Sequence, residues 1–136
     1  MKTRLLLILL TLSILMSCLP DIRYSIKIIN NSSKDIMVLP GYDKFGANEY
    51  PDTTLPINKP HLIRVNKNNY NFIDASFDWK DVVNNLPSDT LSIFYLDADS
   101  VINLTWNMIQ INYLILGRDD LSSTDLESNN WTITFN

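Results

Sequence analysis

The chain is poor in the residues from which most catalytic and metal-binding sites are built. Among 136 residues there is one histidine, one cysteine, two glutamates and three glycines. A single cysteine excludes a disulfide within the chain, so stability rests on a packed core. One histidine and one cysteine fall short of the ligand sets that hold zinc. Three glycines do not make a phosphate-cradling loop, and no serine stands in a nucleophile-elbow pattern. Basic residues are also short, 11 against 15 acidic ones for a formal charge of −4. That balance argues against nucleic acid and against electrostatic adhesion to anionic lipid. The sequence points to no cofactor and no metal, and the expectation is that the protein is not an enzyme. His61, the lone histidine, can act as a general base. Nothing in the spacing supplies its partners, and it is read as a histidine at the start of a strand.

What the chain does have begins at its N-terminus. Lys2 and Arg4 precede the apolar run LLLILLTLSIL, Leu5–Leu15, which is shorter than the ~20 residues of a membrane-spanning helix. A basic start and a short apolar core make a secretory signal. The end of this run and the residues after it, Leu15-Met16-Ser17-Cys18, resemble a lipobox. The thiol of Cys18 can carry a diacylglyceryl thioether, and cleavage before it frees an amine for a further acyl chain. One chain holds a protein marginally, at roughly 0.8 kcal/mol per buried CH₂, whereas two or three hold it firmly. Residues 1–17 are therefore expected to be a lipoprotein signal peptide, 18–21 a lipidated cysteine and short tether, and 22–136 a single mainly β domain. Cleavage removes Lys2 and Arg4 and no acidic residue, which takes the formal charge from −4 to −6.

Strand patterning starts directly after the tether. Ile22, Tyr24, Ile26 and Ile28 alternate with Arg23, Ser25 and Lys27, as in a half-buried strand. The turn residues Asn30–Asp35 and the run IMVLP then suggest an N-terminal hairpin. Residues 40–60 lose periodicity and hold two of the three glycines and four of the six prolines. Strands follow at 61–65 and 70–74, around the turn 66–69. Trp79, Val82, Val83 and Leu86 form a helical stripe capped by Asp78 and stopped before Pro87. The apolar run at 90–96 reads as a central strand. Thr105 suits the cap of a second short helix with Trp106, Ile109 and Tyr113 on one side. A strand is expected at 114–118. A helical turn follows, boxed by Ser122 with Asp125 or by Thr124 with Glu127, and a last strand at 131–135. The sum is a mainly β domain, an immunoglobulin-like β-sandwich with two or three short helices. The alternative is an α+β fold with the helices on one antiparallel sheet.

Few residues stand out for binding. Tyr42, Phe45 and Tyr50 share the irregular segment with Asp43, Asn48 and Asp52, a mixture suited to stacking on a flat ligand or docking to a protein. The competing reading folds those rings back over one end of the sandwich. Trp79, Trp106 and Trp131 lie on regular elements and are assigned to the core. Asp97–Ser100, DADS, matches part of a calcium loop but lacks its central glycine and terminal glutamate, and is read as a polar turn.

The lipobox, NNSSKDI, YPDTTLPI, LPSDTLSIFYL and the closing ILGRDDLSSTDLESNNWTITF together resemble small lipoproteins of Bacteroidota. The closing likeness falls on Arg118, Asp120–Ser122, Asp125–Glu127 and Asn130–Thr134. The resemblance implies a compartment and a fold, and brings no activity with it. Leu19 after the cysteine and a lone nearby acid, Asp21, point to an outer-membrane lipoprotein on the periplasmic face. The resemblance also implies O-glycosylation at Asp-Ser/Thr motifs, which places it on Thr53, Thr90 or Ser100. The expected function is a non-catalytic envelope lipoprotein: a monomer on a lipid anchor, binding a protein or glycan partner. The alternative is an inhibitor or immunity-type lipoprotein acting on an envelope enzyme.

Overall fold

A computed structural model describes residues 24–42 and 54–136. The expected mainly β sandwich is what the chain forms. Its elements are β1 (Tyr24–Asn30), β2 (Ile36–Pro40), β3 (Ile63–Val65), β4 (Asn69–Ala75), α1 (Trp79–Asn84), a 3-10 turn (Pro87–Asp89), β5 (Thr90–Asp97), α2 (Ala98–Asn103), α3 (Trp106–Ile111), β6 (Gly117–Ser122), α4 (Ser123–Ser128) and β7 (Thr132–Phe135). One sheet has the order β4-β1-β7 and the other β3-β2-β5-β6. All neighbours are antiparallel except β1 and β7. The division into three and four strands is that of an immunoglobulin-like sandwich, with a strand order of its own.

The alternation in β1 sends Ile26 and Ile28 inward, where they meet Ile36 and Val38 of β2 across the core. The N-terminal hairpin is therefore replaced by an arch, because β1 and β2 lie in different sheets. β3 and β4, the strands expected around the turn 66–69, also lie in different sheets, so their connection at residues 66–68 is a second arch. Alternation fixes which face of a strand is buried, but not which strand it pairs with. The two arches nest, with β1 on β4 and β2 on β3.

A buried asparagine locks the nested arches. Asn30 is 0 % exposed. Its amide nitrogen donates to the carbonyls of Lys34 (2.8 Å) and Val65 (3.0 Å). Its Oδ1 accepts from the amide and hydroxyl of Ser32 at 3.0 and 2.7 Å. Both donors and both lone pairs are thus used, which is what burial of an amide requires. Asp35 adds a second link, accepting from Lys67 N at 2.9 Å and from the Arg64 guanidinium at 2.6 Å. The guanidinium, helped by that amide, holds the Asp35 carboxyl below the ordinary range.

β5 is central, as its apolar run implies. It pairs on both sides, and Leu91–Leu96 are buried throughout. Leu91, Ile93 and Tyr95 face the core between the sheets, together with the α1 stripe and Leu126 of α4. Phe94 and Leu96 face the other way, into a second core with Leu39, Leu55, Val101 and Ile109. Each fully buried side chain of this kind contributes about 1.5–3 kcal/mol. Gly41 extends β2 along β5: its amide lies 2.6 Å from the Ser92 carbonyl, and a Cβ there would meet that oxygen at 3.0 Å.

Three local expectations need correction. Asp97 starts a helix, α2, because its carboxylate caps the amides of Asp99 and Ser100, so DADS is a strand-to-helix junction. The strand expected at 114–118 lies at Gly117–Ser122. Before it, Leu114 and Leu116 are exposed and Ile115 packs against the second core, while the polar strand satisfies itself at a sheet edge. Ser92 and Tyr95 of β5 donate to Asp120 and Asp119 at 2.7 and 2.6 Å, and Arg118 pairs with Asp120. The capping box is Ser122 with Asp125; Glu127 is instead paired with Lys80 at 2.8 Å. Tyr113 lies beyond the end of α3 with φ 50° and is exposed.

One edge of the first sheet is blunted. In the outer strand β4, the amides of Tyr70 and Phe72 donate to the side chains of Asn69 and Asn71 at 2.8 and 2.9 Å. Those bonds remove groups that another chain could pair with.

Candidate functional site

Opposite the arches, at the start of β1, the sandwich carries a groove of about 370 Å³. Its walls come from four separate parts of the chain. Tyr24 and Ser25 open β1, Asp78–Lys80 begin α1, Glu127 is on α4, and Trp131 immediately precedes β7. Each is placed by a local reason. Asp78 Oδ1 accepts from Lys80 N at 2.9 Å and so fixes the start of α1. That sets Trp79 into the core, 2 % exposed, with its indole N–H on the Tyr24 carbonyl at 3.2 Å. The capping box orients α4 so that Glu127 reaches Lys80.

Trp131 is held differently. Asn129–Thr132 form a tight turn closed by Thr132 N–H on the Asn129 carbonyl at 3.1 Å. Both central residues have positive φ, 49° at Asn130 and 54° at Trp131. Turns of this kind favour Asn followed by Gly, and here tryptophan stands where glycine would be free of strain. The Trp131 amide bonds the Leu126 carbonyl and its carbonyl accepts from Lys27 N, both at 2.8 Å, so the backbone is pinned on each side. Its ring lies half-buried against the core margin and borders the groove.

The electrostatics of the groove are mixed. Glu127 stands within ion-pair distance of Lys80, and this bond raises the ammonium pKa above its ordinary value. Asp78 lies alongside. The Ser25 hydroxyl donates to Asp74 at 2.6 Å and keeps its lone pairs. The groove thus offers aromatic surface, both signs of charge and a hydroxyl oxygen.

The residues singled out from sequence are scattered. Cys18, Phe45, Tyr50 and Thr53 lie outside the described residues. Tyr42 is half-buried with its ring edge-on to Trp79, centroids 5.9 Å apart. Thr90 begins β5, partly buried, its hydroxyl donating to the Ser88 carbonyl at 2.7 Å. Ser100 is partly buried in the first turn of α2. His61 is exposed ahead of β3. The Asp97 carboxylate caps α2 and binds the Lys34 ammonium at 2.8 Å, which with the Ser100 amide holds its pKa down. Among the described residues, no three His, Cys, Asp or Glu side chains come together as a metal site. Trp79 is core. Trp106 is half-buried against the second core, its indole N–H on the Pro56 carbonyl at 2.9 Å. Trp131 doubles as core margin and groove wall.

No family model, no curated protein and no solved structure matches the chain.

The groove escapes a reading of the sequence because its walls are far apart along the chain. The one local signal is Asn129-Asn130 before Trp131, turn chemistry followed by a ring that a turn does not call for.

Proposed function

We propose that the protein is a non-catalytic lipoprotein of the cell envelope, held by lipid on Cys18 at the periplasmic face of the outer membrane, whose β domain binds a protein or glycan partner. The observation that carries this reading is the sequence Leu15-Met16-Ser17-Cys18, which resembles a lipobox, placed directly ahead of a strand. Only six positions separate Cys18 from Tyr24. Fully extended, that stretch reaches about 20 Å, so a lipid on Cys18 keeps the groove close to the bilayer surface.

The binding part of this reading is tested by photo-crosslinking in cells. A photoreactive residue at Ser25, beside the groove, is expected to capture a discrete partner. The same residue at Ser33, in the arch connection at the other end, is expected to capture none. Equal capture from both positions, or none from Ser25, contradicts the assignment.

A further inference from the structure

We infer that the groove beside Trp131 is a subsite for a neutral saccharide, with a sugar ring stacked on the indole. The inference rests on the binding role proposed above and names the class of ligand. Its first support is the turn. A bulky residue in the left-handed region is strained relative to glycine, and backbone strain of this kind gathers at functional positions. The Asn129–Thr132 turn would close equally well around glycine. What tryptophan adds there is its ring, set at the rim of the groove.

The second support is chemical matching. A sugar ring has an apolar face of C–H groups and a rim of hydroxyls that both donate and accept. Trp131 and Tyr24 supply apolar aromatic surface. Lys80 donates, while Glu127, Asp78 and the Ser25 oxygen accept. A strongly anionic ligand would meet two carboxylates, and a strongly cationic one would meet Lys80. A neutral polyol can satisfy both signs at once. A volume of about 370 Å³ lies at the small end of ligand sites, roughly 300–1,000 Å³, and fits a mono- or disaccharide unit rather than a folded epitope. Trp79 cannot recognise the ligand through its indole N–H, because that group is already bonded to the Tyr24 carbonyl.

The test uses the full-length protein, purified from membranes in a detergent without a sugar headgroup. It is screened against an array of neutral oligosaccharides, with acidic oligosaccharides and uncharged peptides alongside. The expected result is saturable binding of at least one neutral saccharide, accompanied by a change in indole fluorescence. Trp131→Gly, whose backbone suits the turn, should weaken that binding by about tenfold or more. Trp131→Tyr, which keeps a ring, should retain most of it. Three results overturn the inference: no neutral saccharide held across the array, equal binding by Trp131→Gly, or preference for the peptides. A blank array together with a discrete crosslink at Ser25 discards the saccharide and leaves the proposed binding role standing. A blank crosslink together with a blank array removes both.

Discussion

At one end of β1, Asn30 is wholly buried and every hydrogen-bonding atom of its amide is used; at the other, Tyr24 borders a groove beside a turn that holds Trp131 in a conformation suited to glycine. Both ends are turns rich in asparagine, yet they are built on opposite terms. The arch end spends its polar groups on itself and closes two connections against each other. The groove end accepts strain and leaves aromatic surface at a rim of unlike charges. Saturated polar networks specify structure, whereas strain retained beside a concavity points to use by something else.

The contrast predicts a graded set of responses. Asn30→Ala should have the largest effect, lowering stability by about 3 kcal/mol, because the Val65 carbonyl and the Ser32 amide lose the side chain that bonds them and the Lys34 carbonyl keeps only the Ser32 hydroxyl. Urea unfolding of the full-length protein measures it, and a loss below about 1 kcal/mol would deny the arch end its structural role. Trp131→Gly should cost only about 1 kcal/mol, since relief of the turn offsets part of the lost packing of a half-buried ring. A loss as large as that of Asn30→Ala would make Trp131 an ordinary core residue.

Acid should act on the arch end. The folded pKa of Asp35 is depressed by Arg64 and the Lys67 amide, and that of Asp97 by Lys34 and the Ser100 amide. A depressed carboxyl stabilises the fold above its unfolded pKa, and that contribution is lost as pH falls through the lower folded value. Unfolding midpoints taken from about pH 5 to about pH 2 should therefore fall, and Asp35→Asn should flatten part of that decline. A variant with the unaltered acid limb would remove Asp35 from the account. The smallest response is expected from Lys80→Gln. Its partnership with Glu127 is solvent-exposed on both sides, and such pairs contribute little, so the unfolding midpoint should not move.

Much of this architecture is legible in the sequence, for identifiable reasons. The alternation Tyr24–Ile28, the stripe from Trp79 to Leu86 and the apolar run of β5 each encode burial, and burial is what the structure returns. The Ser122–Asp125 box encodes a helix start with its own chemistry. Pairing partners are not encoded locally, so the arch from β1 to β2 reads as a hairpin. α2 is overlooked because Asp97 acts as strand end and helix cap at once. β6 is displaced because its polar residues satisfy themselves at an edge, where hydrophobicity is a poor guide. The groove joins residues as distant as Ser25 and Glu127, a proximity that only the nesting of four elements creates.

The central claim is that this acidic domain is moored by lipid on Cys18, and the mass of the mature protein recovered from membranes tests it most directly. The account predicts a chain beginning at residue 18, carrying a diacylglyceryl group on sulfur and an acyl chain on the new amine. A mature chain with a free Cys18 thiol, or one cut at another residue, would contradict it.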